Sequence, residues 1–370
     1  MKLVSEGQVL AERHGRVGVL TLNRAPALNA LSLPMIRDLT TVLRRWAHSH
    51  EVVAVLVHGR GRPGKPAAFC AGGDIRFFHE AALAGDPRLE DFFSEEYALN
   101  HLIHHYPKPT IALMDGIVMG GGMGISQGAT LRVVTEGSRL AMPETQIGLF
   151  PDVGGGWFLS RCPGHVGEYL ALAGTTVGAA DAIAFGLADE FVPAAQLPML
   201  IEALVDQPCD SGEQALAAVR ARAEAVPAPV LAARQAAIDR HFGQHGLAQI
   251  VASLQADEDD FARETLAALQ RRSPLMMAVT LEQVRRARRM SLADDLRMER
   301  DLVRHCFHLR PGTAGETVEG IRALAIDKDH ARRWQPARIE DITPAMVEAF
   351  FDSPWPAHAH PLRDLSDHAS

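Results

Sequence analysis

Hydrophobic and polar positions change rhythm along this chain. Gln8–Arg13 and Arg16–Leu22 are two strand-like runs meeting at His14-Gly15, which predicts a β-hairpin with alternating faces. The turn-rich stretch NRAPALNA (23–30) follows. Ser32 as N-cap and Pro34 in the first turn predict a helix from about Leu33 to His48. Val52–His58 is a short apolar run, so a helix lies between strands, the pattern of an α/β unit. Glu90–Tyr106 is helical in pattern. Thr110–Met119 reads as a strand broken by Asp115 and Gly116, and leads through Gly120–Gly122 into a small-residue helical segment. Leu172–Ala188 has helical composition around Gly174 and Gly178. From Gln196 onward strand signals fade and helical periodicity dominates, with a break at Pro227 and Pro229 and one strongly charged helix over Glu282–Arg304. The expectation is an α/β core over residues 1–193, closed by Phe191-Val192-Pro193. A helical region over 194–350 and a loosely ordered tail over 351–370 complete the chain.

Composition narrows the functional classes. At 370 residues the chain can bury a sizeable core, and 47% hydrophobic with 22% charged residues describes a globular protein. A formal net charge of -8 argues against a nucleic-acid-binding surface as the main function. No apolar run is long enough to span a membrane, and the N-terminus reads as neither signal nor transit peptide. Cys70, Cys162, Cys209 and Cys306 are widely spaced, with no CxxC, and fit buried thiols in a reducing compartment. The excess of Arg over Lys, with abundant Ala, suggests a GC-rich genome, hence a bacterial cytoplasmic protein; a homo-oligomer is allowed.

Several motifs invite chemistry that their context does not support. Gly59–Pro66 nearly spells a P-loop, but Pro66 stands where a Ser or Thr should hold Mg²⁺. His101, His104 and His105 have helical metal-ligand spacing without HExxH or an evident distal ligand, so a solvated or interface face is expected. Gly124-Ile125-Ser126-Gln127-Gly128 matches the nucleophile-elbow pattern, but the sharp turn belongs at Gly120–Gly122, which leaves Ser126 one turn into a helix. Arg285, Arg286, Arg288 and Arg289 read first as a solvated face or as inter-element salt bridges.

The stretch 110–159 is different. Three glycines at a strand-to-helix junction let a ligand approach bare N–H groups, a way to hold developing negative charge. Glu144 and Asp152 then stand in an apolar run, each beside a proline. Upstream, Gly72-Gly73-Asp74 exposes backbone before another helical stretch; taken alone, it is a turn with Asp74 at a helix N-terminus. Charge-stabilising backbone followed by two isolated acids outlines an acyl-group active site.

AFCAGGDIRFF (68–78), IALMDGIVMGGGMGIS (111–126), AMPETQIGLFPDVGGGWFLSR (141–161) and EGIRALAIDKDHARRWQP (319–336) together resemble the crotonase (enoyl-CoA hydratase/isomerase) superfamily, within it the 3-hydroxyisobutyryl-CoA hydrolase branch. The resemblance runs from LNRAPALNALS (22–32) to about Pro336. It implies a spiral of ββα repeats followed by helices that help close the site. It implies thioester hydrolysis of a short 3-hydroxyacyl-CoA in valine catabolism, with CoA as part of the substrate, no separate cofactor and no metal. The implied oxyanion donors are the N–H groups of Gly73 and Gly121, and the implied catalytic acids are Glu144 and Asp152. Glu96 is implied in the acyl pocket, Asp74, Ile75 and Arg76 against CoA, and Arg24 at its phosphates. Hydratases of the superfamily carry an acid two residues after the glycine triplet; here that place is Gly124, which disfavours hydration. An isomerase or a non-catalytic CoA-ester-binding protein are the alternatives.

Overall fold

The computed structural model describes residues 3–62, 64, 67–206 and 209–367. Pro63, Lys65 and Pro66 of the near P-loop lie outside the described residues, as does the tail after 367. Strands and helices alternate as two strands, then helix, four times over. The strands are β1 (Val9–His14), β2 (Val17–Leu22), β3 (Ala54–Gly59), β4 (Ala68–Cys70), β5 (Thr110–Met114), β6 (Ile117–Met119), β7 (Leu131–Val134), β8 (Arg139–Ala141) and β9 (Glu190–Phe191). The helices that follow successive pairs are α1 (Leu33–Ala47), α2 (Ile75–Ala84) with α3 (Arg88–His104), α4 (Gly121–Gln127), and α5 (Gly155–Leu159) with further helices behind it.

The chain divides into two compact units, each drawn from several segments. The first comprises Met1–Gly73, Ala98–Leu140 and Val177–Ala232. Its six-stranded sheet has the order β1-β2-β3-β5-β7-β9. β1 and β2 form the expected antiparallel hairpin, Val9 opposite Leu22, and every later pairing is parallel. β2 does not alternate between core and solvent as a hairpin strand would, because it is paired on both edges and covered on both faces; all six residues are buried. Val19, Leu56 and Leu113 face a core completed by Leu197, Leu200, Ala215 and Val219. Leu20, Val57 and Ala112 point the other way, toward Leu39 and Leu43 of α1. Ser32 holds the N-cap position of α1, but its hydroxyl donates to Gln8 Oε1 (2.8 Å) instead of accepting from the helix.

The second unit comprises Asp74–Tyr97, Ala141–Thr176 and Ala233–Ser370. Its described C-terminal segment, from 233, is helices and turns. An aromatic cluster, Phe78, Phe92, Phe93 and Phe307, ties α2 and α3 to the helix Leu292–His308. The buried Arg300 of that helix pairs with Glu90 and donates to Ser94 Oγ (2.9 Å), fixing the helix against the first turns of α3.

This division is drawn differently from the boundary expected near residue 193. The helices beginning at Leu197 and Gly212 bury their apolar faces on the sheet core and so belong to the first unit. Residues 141–176, which carry both acids, cluster with the C-terminal helices instead. The expected helix Glu282–Arg304 is two, Pro274–Ala287 and Leu292–His308, because Ser291 caps the second by accepting from Asp294 N. The described part of the tail is held as well: His360 and Leu362 are buried, and Arg297 donates to Leu362 O.

Candidate active site

In the first unit, backbone without side chains brings two glycine segments together. Gly72 has φ 105° and Gly120 φ 49°, values that a Cβ disfavours. A Cβ at Gly72 would stand 3.3 Å from Met119 O and 3.7 Å from Gly121 N, and one at Gly122 only 2.3 Å from Cys70 O. The segments 70–73 and 119–122 therefore run in contact because both lack bulk. Gly121 opens α4, so its N–H has no carbonyl partner within that helix. Gly73 bridges to Leu31 in the parallel sense.

In the second unit the acids gather. Glu96 lies on α3, Glu144 opens the 3-10 turn Glu144–Ile147, and Asp152 precedes α5; all three are buried. The Glu144 turn is fixed from behind: Thr145 Oγ1 donates to Leu172 O (3.1 Å), and Thr145 O accepts from Ser273 N (3.0 Å). Gly148 ends the turn at φ 68°, where a Cβ would strike Glu316 O at 2.2 Å. Tyr97, fully buried, donates its hydroxyl to Asp152 Oδ2 (2.9 Å). Glu96 Oε1 and Glu144 Oε2 accept no hydrogen bond from the described residues. A native core rarely leaves two carboxylate oxygens so.

The electrostatics follow from burial. Removal from water holds Glu144 well above the ordinary carboxylate range, and the Asp152 charge adds to this. Burial pushes Asp152 up to about 7, against the Tyr97 hydrogen bond, which favours its charged form. Glu96 is raised by burial and by both neighbours. Acids placed this way cannot all ionise at neutral pH, so the cluster carries protons there.

The turn bearing Asp152 is strained. Val153 has φ 59°, a left-handed conformation that costs a β-branched residue roughly 1–3 kcal/mol. Glu299 holds it: Oε2 accepts from Gly154 N (2.7 Å) and Oε1 from Gly156 N (2.9 Å). Asp295 Oδ2 accepts from Trp157 N (2.9 Å). Sequence reading missed Tyr97, Asp295 and Glu299. The signal for the last two is that they fall, four residues apart, on the apolar stripe of Leu292, Leu296 and Val303.

The remaining predicted residues fall as follows. Asp74 caps α2, accepting from Phe77 N (3.3 Å); Ile75 is half-buried and Arg76 exposed in the first turn. Arg24 is half-buried and donates to Ala30 O (3.0 Å), across its own loop. Ser126 is buried in α4 with its hydroxyl donating to Gly122 O (2.8 Å), so it is not presented as a nucleophile. His101 is buried and stacks on His105 with ring centroids 4.2 Å apart. Arg285 donates to His245 O, Arg286 pairs with Glu282 and Glu348, and Arg288 pairs with Glu168, so these arginines join elements. The four cysteines are buried and unbridged.

Known proteins resemble this chain over nearly its whole length. Residues 17–351 match the family described as Enoyl-CoA hydratase/isomerase. The chain is 40% identical over 355 residues to a Xenopus tropicalis protein named 3-hydroxyisobutyryl-CoA hydrolase, mitochondrial, covering 95% of this chain and 90% of that one. It is 38% identical over 352 residues to the Gallus gallus protein of the same name, covering 94% and 89%. Among solved structures, a carnitinyl-CoA dehydratase from Mycobacterium thermoresistibile superposes with a TM-score of 0.85 at 37% identity, over 96% of this chain and 99% of that one. These curated relatives are eukaryotic and named mitochondrial, which lends no support to a bacterial cytoplasmic source. Among the described residues no helix is long and apolar enough to cross a membrane.

Proposed function

The chain belongs to the enoyl-CoA hydratase/isomerase family, and from that membership we propose that it hydrolyses the thioester of a short 3-hydroxyacyl-CoA, with 3-hydroxyisobutyryl-CoA as substrate. The products are the free hydroxy acid and CoA, a step of valine breakdown. The observation that carries this reading is the buried trio Glu96, Glu144 and Asp152, with two carboxylate oxygens that accept no hydrogen bond from the described residues, in a chain about 40% identical to hydrolases of that substrate.

The N–H groups of Gly73 and Gly121 receive the thioester oxygen as it gains charge; each such donor lowers the barrier by roughly 3 kcal/mol. Glu144 acts through its ionised carboxylate, by attacking the carbonyl carbon or by taking a proton from the water that does. Asp152 holds the 3-hydroxyl and gives a proton to the departing thiolate, so the C–S bond breaks to give a neutral thiol; where Glu144 has attacked, water then cleaves the anhydride, its proton passes to Asp152, and the hydroxy acid leaves with Glu144 freed. The working state is therefore the acid pair with one proton between its members. Glu96 shapes the acyl pocket. Asp74, Ile75 and Arg76 seat the CoA moiety, and Arg24 meets its phosphates. Backbone, side chains and water suffice, so no cofactor is invoked.

The dehydratase name of the superposed structure favours a second reading, addition or removal of water across a double bond. That chemistry in this superfamily resembles a two-acid arrangement whose first member would occupy Gly124, a buried glycine inside α4. A thiol-release assay over a panel of acyl-CoA esters, run beside an absorbance assay with crotonyl-CoA, separates the two. Thiol released from 3-hydroxyisobutyryl-CoA with no hydration of crotonyl-CoA is expected. Hydration without thiol release would overturn the hydrolase reading.

A further inference from the structure

Asp152 lies in a turn gripped on both sides by one group of buried side chains. On its N-terminal side, Gln283 Nε2 donates to Pro151 O (2.7 Å). On its C-terminal side, Glu299 accepts from Gly154 N and Gly156 N, spanning the left-handed Val153 and Gly154. The two grips are joined, because Gln283 Nε2 also donates to Glu299 Oε1 (3.0 Å). Asp295, one helical turn before Glu299, accepts from Trp157 N. Gln283, Asp295 and Glu299 are all fully buried. There is no room to loosen the arrangement: a Cβ at Gly156 would stand 2.5 Å from Asp295 Oδ1 and 3.1 Å from Gln283 Nε2.

We infer that Glu299 and the Gln283 bonded to it are the positioning groups for Asp152: Gln283 holds the backbone before that residue, Glu299 the backbone after it, and together they aim its carboxylate. Three N–H groups point at the two oxygens of Glu299, so Glu299 is the ionised partner. Asp295 Oδ1 accepts from no described residue. Burial raises both acids. The charged or titratable groups around this pair are Asp152, Tyr97 and Arg161. A short helix such as α5, five residues long, would not hold a strained valine turn by itself. The clamp supplies what the helix lacks.

This inference rests on the reading that Asp152 acts in thioester hydrolysis. The test compares wild type, Asp152→Asn, Glu299→Gln, Gln283→Leu and Asp295→Asn as full-length proteins, by thiol release from 3-hydroxyisobutyryl-CoA, affinity for free CoA and thermal unfolding. A glutamine at 299 keeps one acceptor but turns an NH₂ toward the other backbone N–H, so the turn must move. Glu299→Gln is expected to lower kcat on the order of 30-fold with KM and CoA affinity within about two-fold, somewhat less than the roughly 10²-fold that a 1 Å misplacement can cost. Gln283→Leu, which spares both amide bonds to Glu299, should lower kcat about 5-fold with the same split. Asp295→Asn keeps an acceptor for Trp157 N and should lose no more than about 3-fold. Should Glu299→Gln not fold, Gln283→Leu carries the same test. The inference is overturned if both keep wild-type kcat, or if kcat falls only together with CoA affinity and thermal stability. Failure of the wild type to release thiol would defeat the hydrolase reading itself, whereas an inert Asp152→Asn beside a fully active Glu299→Gln would defeat the clamp alone.

Discussion

The Tyr97 hydroxyl donates to Asp152 Oδ2 over 2.9 Å, joining a helix of the α3 region to the turn ahead of α5 inside one unit. This bond favours the charged form of Asp152, yet burial outweighs it and the acid still rests near 7. If catalysis needs the Glu144–Asp152 pair with a single proton, activity falls on the acid side as the pair takes up its second. Tyr97→Phe removes a hydrogen bond to a charged group, worth about 1.5–3 kcal/mol, so the first ionisation becomes harder. The acid limb of the kcat profile should move up by roughly one to two pH units. The groups acting on Asp152 from neighbouring elements are Glu96, Glu144, Glu299 and Cys306, and the substitution leaves all of them in place. An unmoved or downward-moved limb would mean that Tyr97 does not set the Asp152 equilibrium.

Glu144→Gln is close to isosteric and keeps the 3-10 turn, whose hydrogen bonds run through Thr145 and the backbone. It removes the only charge available at Oε2. Thiol release should drop by roughly 10²–10⁴-fold while affinity for the CoA ester survives. Turnover near the wild-type rate would take Glu144 out of the mechanism.

Legibility in the sequence followed how local each constraint was. The Asp115-Gly116 break, the Gly120–Gly122 junction and Pro34 in a first turn are local signals, and β5, β6, α4 and α1 appear where they predict. Glu144 and Asp152 stood out as charges in apolar runs, and the structure buries both. Tyr97 was not legible because an aromatic on an amphipathic helix reads as core until its hydroxyl finds a partner 55 residues away. Asp295 and Glu299 were hidden in a run of charges, Asp294, Asp295, Arg297, Glu299, Arg300 and Asp301, of which only some face inward. The division into two units was not legible for a similar reason. Helical periodicity after Gln196 does not reveal that Leu197, Leu200 and Leu204 complete the core of a sheet built far earlier in the chain.

Ser126 offers a negative test of the nucleophile-elbow pattern. Its hydroxyl is spent inside α4, donating to Gly122 O, and its side chain is fully buried. Ser126→Ala should leave kcat and KM within about two-fold and lower stability by about 1 kcal/mol, the net worth of one such hydrogen bond. Loss of most activity, with the fold intact by circular dichroism, would revive a serine nucleophile.

The buried acids also set how stability varies with pH. Asp152 and Asp295 each titrate near 7 in the folded chain, against 3.8 for an unhindered aspartate. Between those values the folded state holds protons that the unfolded state has released, so their contribution is fully present below about 4 and is lost as pH rises toward 7. For Asp152 the contribution at stake is on the order of 4 kcal/mol, at 1.36 kcal/mol per pH unit of separation. Glu90 works in the opposite sense at lower pH: His308, Arg300 and Arg304 hold it at about 2, so its contribution is lost below the ordinary glutamate range. His58, His79 and His241, held below their usual range by burial, favour the folded chain as pH rises and oppose the two aspartates. The informative quantity is therefore the difference between wild type and Asp152→Asn, in which Glu90 and the histidines cancel. Asparagine keeps an acceptor for the Tyr97 hydroxyl and cannot ionise, so Asp152→Asn should lose less stability than wild type between pH 5 and 8. Denaturant unfolding at several pH values over that range measures it. Parallel stability curves for the two proteins would mean that Asp152 ionises in the folded chain as an ordinary carboxylate does, and that the proton proposed for the leaving thiolate is not stored there.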